Sequence, residues 1–283
     1  MSIAAKSLSV LGLLLVAGWT HHREVQAAAV QPSMPNPMVV VELFTSEGCS
    51  SCPPADAVLT QLVTRQPVAG VEVLALGEHV DYWDRLGWRD PFSSAAYSAR
   101  QSTYDSHVFH RNEVYTPQLV VDGQLERVGS DVDAVQRAVK QAAQASKALV
   151  DVAAAQAGER SLRVNFHITV PPSLVLRDSA DVVVAITEDN LATEVRRGEN
   201  RGRTLRHSAV VRSLTAIGTL APGEREWSNG VSVPLATDWT PMNLRIISFL
   251  QERGSRRIVG AGSVGGWPDM NTPQESGSQS RSR

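Results

Sequence analysis

Cys49 and Cys52 are the only cysteines in the 283-residue chain, and they sit two residues apart in the run Thr45-Ser-Glu-Gly-Cys-Ser-Ser-Cys-Pro-Pro54. Two thiols at that spacing suit reversible disulfide chemistry, in which one sulfur attacks and the other resolves the mixed disulfide. Cys49 falls at or just before a predicted helix start. Unpaired backbone N–H groups and the positive end of the helix dipole favour a thiolate there, so Cys49 is the expected attacking thiol and Cys52 the resolving one. Pro53 and Pro54 fit the first helical turn, where the N–H groups they lack have no intrahelical partner. Glu47 works the other way, because a nearby carboxylate raises a thiol pKa. An inert disulfide is the competing reading, although so short a loop gives little chain-entropy stabilisation.

The elements that position these thiols follow from the pattern around them. Val39 to Phe44 reads as a buried strand, Ala55 to Val63 as a helix and Val71 to Leu76 as a second buried strand, a unit whose natural product is a right-handed parallel crossover. A polar, aromatic-rich insertion runs from His79 to about Glu113. After Tyr115-Thr116-Pro117 come two short strands around Asp122-Gly123, a strong hairpin signal. Ser130 or Asp131 then caps a helix through Val135, Ala138, Val139 and Ala142.

From this order the chain resembles the thioredoxin superfamily over roughly residues 38 to 147. Within it, the runs Glu42–Asp56, His79–Asp90, Tyr115–Gln118 and Arg197–His207 identify it as a member of the domain-of-unknown-function family of secreted bacterial thioredoxin-like proteins (DUF1223). The resemblance implies an α/β thioredoxin-like domain with a helical insertion. It also implies that Thr116 and a cis Pro117 line the site and help hold an extended substrate. Glu42 is the strand carboxylate in which the resemblance places acceptance of the resolving cysteine's proton; a surface-facing glutamate is the alternative. No activity comes with the family.

The insertion holds further candidates. Trp83 and Trp88 either form a peptide-binding wall beside Cys49 or cover the core, and His79 is a candidate proton donor or acceptor. With two thiolates, His79 also opens a copper(I) or zinc reading. His107 and His110 read as surface histidines. The run Glu194-Val-Arg-Arg-Gly-Glu-Asn-Arg-Gly-Arg203, followed by Arg206-His207, reads as a solvated loop, with an acidic partner or anionic group as the alternative.

Residues 1–28 read as a signal peptide: Lys6, an apolar stretch too short to span a bilayer, then Ala27-Ala28-Ala29; an uncleaved anchor is the alternative. Its removal takes Lys6, Arg23 and Glu24 from 27 basic and 29 acidic side chains, so the mature charge is −3 and nothing suggests nucleic acid or an anionic membrane as partner. Residues 37–147 are the expected thioredoxin-like domain. Residues 148–267, with strict alternation at Leu162, Val164, Phe166, Ile168 and Val170 and five further strand-like runs, are an expected antiparallel β sandwich-like unit. Residues 268–283 are an expected disordered tail. The overall expectation is a periplasmic or secreted protein exchanging thiols with thiol- or disulfide-containing proteins, with no cofactor, no resident metal and no stable membrane insertion after cleavage. A non-catalytic binding module with a structural disulfide is the alternative.

Overall fold

The apolar run at the start forms β1 (Met38–Thr45), which lies parallel to β2 (Glu72–His79) on one side and antiparallel to β3 (Gln118–Val121) on the other. The computed structural model describes residues 36–111 and 113–267, so the expected signal peptide and tail lie outside the described residues. Helix α1 (Pro53–Arg65) makes the crossover from β1 to β2. It buries Ala55, Val58, Leu59 and Leu62 against Val39, Val41 and Leu43.

Local chemistry explains the next elements. Asp122 and Gly123 have φ of 46° and 69°, both left-handed, and with Gln124 they form the three-residue turn that joins β3 to β4 (Leu125–Val128). The Asp131 carboxylate accepts the Ala134 N–H at 3.0 Å and caps α3 (Val132–Ala142), whose Val135, Ala138 and Val139 join the α1 core. Helix α2 (Ala95–Tyr104), capped by Ser94, covers the other face of β1, where Tyr104 meets Phe44 edge-on.

The rest of the chain corrects the expectation of an α/β thioredoxin-like domain followed by a sandwich-like unit. Strands β5 (Ala148–Gln156), β6 (Ser161–Thr169), β7 (Ala180–Glu188), β10 (Val210–Leu220), β11 (Glu226–Pro234), β12 (Leu244–Glu252) and β13 (Ile258–Gly265) join β1 to β4 in one mixed eleven-stranded sheet. Its order is β11-β6-β5-β13-β12-β7-β10-β2-β1-β3-β4. The fold is β-rich, with three α-helices among the described residues. The junction is β10 beside β2, where Val210 pairs with Gly77 and the Gly77 N–H donates to the Ala209 carbonyl at 2.7 Å. β2 is buried on both faces, and its second edge needs hydrogen-bond partners. Alternation in a sequence marks which face is buried but not which edges meet.

One of the five further strand-like runs, Leu205 to Val211, is divided between two strands. β9 (Thr204–His207) pairs only with β8 (Leu191–Glu194), and the chain turns at Ala209, φ 53°, before β10 begins. The sheet curls, so that Val40, Leu74 and Leu76 pack against Val183, Ala185, Ile247 and Phe249. The two hairpin turns also meet: the Ile258 N–H donates to the Asp122 carbonyl at 3.0 Å, and a Cβ on Gly123 would stand 2.1 Å from the Arg256 carbonyl oxygen.

A buried polar network fills the space beneath α2. Glu42 accepts from Arg100 Nε and from the Tyr104 hydroxyl, each at 2.5 Å, and Gln251 Nε2 donates to that hydroxyl at 2.7 Å. Glu78 lies beside them, fully buried, with neither carboxyl oxygen hydrogen-bonded. Burial and then the Glu42 charge push its pKa well above the ordinary carboxylate value, against the pull of Arg100. A raised carboxyl binds its proton more tightly in the folded state, so its stabilising effect is complete at acid pH and declines as pH rises above the unfolded carboxylate range. Glu78→Gln should therefore be more stable than the wild type at pH 7–8 and lose that advantage near pH 4 in urea unfolding. A difference independent of pH would contradict the assignment.

Candidate functional site

Four segments converge at the C-terminal ends of β1 and β2, around residues 46–52, 82–90, 115–117 and 198–207. Cys52 is the N-cap residue of α1, its carbonyl accepting from Ala55 and Asp56 N–H at 2.8 and 3.1 Å, and Cys49 lies on the turn before it. Both are free thiols and both are buried, while Ser50 and Ser51 between them are exposed.

The two sulfurs differ sharply in acidity. The Cys52 thiol donates to Cys49 Sγ at 2.7 Å, and Ser51 Oγ lies 3.2 Å from the same sulfur. The bond from Cys52, opposed by burial and reinforced by Ser51 and Thr116, lowers the Cys49 pKa to about 6. Burial, then the neighbouring Cys49 sulfur and the Asp56 charge, push the Cys52 thiol up. At neutral pH Cys49 is thiolate and Cys52 is thiol.

The structure brings Cys49, Cys52, Thr116, Pro117 and Trp83 together. The Thr116–Pro117 peptide is cis, and the Thr116 carbonyl oxygen is 3.9 Å from Cys49 Sγ. Trp83 Nε1 donates to Thr116 Oγ1 at 2.9 Å, and a Cβ on Gly48 would come within 3.0 Å of Trp83 Cβ. Glu42 is held elsewhere: it points to the face of β1 opposite α1, in the Arg100–Tyr104 network. Strand alternation causes this, since Thr45, not Glu42, faces the cysteines.

His79, the register partner of Thr45, is bonded to a carboxylate and not to a thiol. It is buried, with Nδ1 2.7 Å from Asp90 Oδ2. Burial disfavours its imidazolium, yet Asp90, with Asp56 and Glu47 behind it, raises its pKa above the usual value. Burial likewise opposes the Asp90 carboxylate, but His79 and two backbone N–H donors hold its pKa below the usual range. Among the described residues no group of three or more His, Cys, Asp or Glu side chains is arranged to hold a metal ion.

Beneath the cysteine loop lie two buried carboxylates, Glu47, singled out by its spacing to Cys49, and Asp56, which is not. Thr45 Oγ1 donates to Asp56 Oδ1 at 2.8 Å. Burial raises the Asp56 pKa, opposed by His207 and His79. Glu47 is fully buried, taking Trp88 Nε1 at 2.8 Å and facing His207 Nε2 at 3.1 Å. The His207 ring stands 4.9 Å from that of His79. Asn200 Nδ2 donates to the carbonyls of Glu47 and Cys49, both at 2.9 Å, and Glu199 Oε2 accepts the Ser50 N–H at 2.9 Å. Asp56 was findable, four residues after Cys52 and so on the same helix face. Nothing in the sequence joins Asn200 or His207 to residues some 150 positions earlier.

Comparison with known proteins agrees with this architecture. Residues 40–251 match the family model described as Protein of unknown function (DUF1223). A crystal structure of a structural-genomics target protein from Agrobacterium tumefaciens is 30% identical, covering 81% of this chain and 94% of that one with a TM-score of 0.61. HBP35 of Porphyromonas gingivalis is 14% identical and shares the fold at a TM-score of 0.62, over 81% of this chain and 75% of that one. Among curated proteins nothing matches. No helix among the described residues is long and apolar enough to cross a membrane.

The acidity of Cys49 is directly measurable. Iodoacetamide alkylation of the reduced protein should rise with pH through a midpoint near 6. Cys52→Ala removes the strongest contribution and should move the midpoint upward; a midpoint that the substitution leaves in place contradicts the sulfur–sulfur hydrogen bond as its cause.

Proposed function

The chain belongs to the DUF1223 family of proteins of unknown function, and from that premise we propose that it carries out thiol–disulfide exchange on protein substrates through Cys49 and Cys52. The observation that carries this reading is geometric: the two sulfurs lie 2.7 Å apart at the start of α1, with the Thr116 carbonyl 3.9 Å from Cys49 Sγ and Trp83 bonded to the Thr116 hydroxyl. The Cys49 thiolate attacks a substrate disulfide and one substrate sulfur leaves with its electron pair. Thr116, Pro117 and Trp83 flank the mixed disulfide. The Cys52 thiol then gives up its proton, with the neighbouring Asp56 carboxylate as acceptor, and its sulfur attacks Cys49 Sγ. That step releases the second substrate sulfur and leaves the enzyme pair oxidised and the substrate reduced.

The same cycle runs in reverse when the substrate is a dithiol, and the electrostatics bear on direction. The depressed Cys49 pKa stabilises the folded dithiol form fully above the ordinary thiol pKa, and that contribution fades as pH falls through about 6. A stabilised thiolate raises the potential of the couple, as in strongly oxidising members of this chemistry. Exchange that forms or reshuffles disulfides belongs in an oxidising compartment, which agrees with an exported protein. The leader on which export depends lies outside the described residues.

Two experiments test this reading. Equilibrated with glutathione buffers, the Cys49–Cys52 couple should have a potential between roughly −270 and −120 mV, whereas a value below about −300 mV would make the disulfide structural and the protein a binding module. Cys49→Ser should abolish exchange and Cys52→Ser should trap a covalent adduct; undiminished exchange in both would refute the mechanism. The proton path has its own readout. Asp56→Asn should slow resolution of the mixed disulfide on the order of a hundredfold at neutral pH while leaving Cys49 alkylation near its wild-type rate. An unchanged resolution rate would remove Asp56 from the path.

A further inference from the structure

The segment between β8 and β10 carries five exposed arginines: Arg196, Arg197, Arg201, Arg203 and Arg206. Among the described residues none of the five pairs with a carboxylate; Arg203 Nη1 donates to the Asn200 side-chain carbonyl at 2.8 Å. The opposing charges on the segment are Glu194 and Glu199, and Glu199 is engaged with the Ser50 N–H. This concentration of positive charge stands on a chain whose formal net charge is −2, so composition does not account for it.

The segment is also fixed to the thiol loop. Asn200 is fully buried and bonded to the Glu47 and Cys49 carbonyls, and the Gly198 backbone packs on Trp88, where an added Cβ would lie 3.1 Å from Trp88 Cβ. The arginines are thus carried at a set place beside Cys49 rather than on a free tether. Two surface clefts share Arg203 and Thr204. One, of about 360 Å³, lies between the first turn of α1 at Pro53, Ala57 and Thr60 and the Arg203 to Arg206 strand. The other, of about 350 Å³, is lined by Arg196, Arg201 and Arg203 together with Glu194, so three guanidinium groups face one carboxylate there. Asp56 edges the first cleft with most of its surface buried, and burial shifts it toward its neutral form.

We propose that this arginine segment is the specificity surface of the thiol site and that it selects protein substrates whose reactive disulfide is flanked by aspartate and glutamate. The inference rests on the exchange reading and deepens it. A guanidinium holds a carboxylate through two parallel hydrogen bonds, and it sheds water more readily than an ammonium does. Five of them beside one nucleophile raise the local concentration of an acidic segment and its rate of encounter. A substrate strand lying over Cys49 places its flanking residues in the two clefts. No co-reactant is needed beyond the substrate, because the electrons move between the substrate disulfide and the Cys49–Cys52 pair.

The test compares three substrates on the reduced full-length protein: hydroxyethyl disulfide, which is neutral and small, and two disulfide-linked peptides identical except for Glu or Lys flanks. The Glu-flanked peptide should react at least roughly tenfold faster in kcat/KM at low ionic strength, with the difference carried mainly by KM and shrinking in high salt. The charge-reversed variant Arg196→Glu/Arg197→Glu/Arg206→Glu should lose or invert that preference; these three make no contact with the thiol loop, and circular dichroism checks that the variant is folded. Equal rates for the two peptides, or a preference unchanged in the variant, overturns the inference while exchange of the neutral disulfide leaves the thiol reading standing. Absence of exchange with all three overturns the thiol reading and the inference together.

Discussion

The molecule is organised by the second edge of β2. A strand covered on both faces cannot leave a row of N–H and C=O groups unpaired, because each buried orphan costs as much as a lost hydrogen bond. The Gln66 side-chain amide meets that edge at Val73, β10 meets it at Gly77, and the sheet continues outward from β10 through β7, β12 and β13. The placement of β10 sets the position of what precedes it. β9 and the arginine segment are thereby delivered to the C-terminal ends of β1 and β2, where Asn200 and His207 meet the cysteine loop.

The acidity of the site follows from that delivery. Glu47 precedes Cys49 by two residues, a placement that by itself would work against a thiolate. The fold turns the Glu47 carboxylate away, into the hands of Trp88 and His207, and leaves Cys49 facing the Cys52 thiol, Ser51 and the Thr116 hydroxyl. Asp56 is kept on the Cys52 side. The two sulfurs sit in contact, yet the donors gather at one and the desolvation at the other. The split in acidity is a property of this packing, since two cysteines in an extended chain would have equal claims to the proton.

The similarity to known structures fits the same view. HBP35 of Porphyromonas gingivalis shares the fold at 14% identity, a level at which likeness speaks for architecture alone. The match to the Agrobacterium tumefaciens protein covers 81% of this chain and 94% of that one. Function has to be argued from the site, because one fold hosts many chemistries.

Local sequence determined what local physics controls. The Asp122-Gly123 hairpin, the Asp131 cap, the helix behind Pro53-Pro54 and the juxtaposition of Cys49 and Cys52 rest on contacts within a few residues, and each was legible. Thr116 and Pro117 were legible through resemblance, and Trp83 only as one of two alternatives for the aromatic insertion. The single eleven-stranded sheet was not, since alternation encodes faces and not edges. Glu42 illustrates the limit: its strand was legible, but its side chain lies on the α2 face, one pleat away from the face Thr45 shares with Cys52. Asn200 and His207 reach the site only through the β2–β10 pairing. Contacts across some 150 residues leave no period and no spacing in a sequence, so only the tertiary structure could decide them.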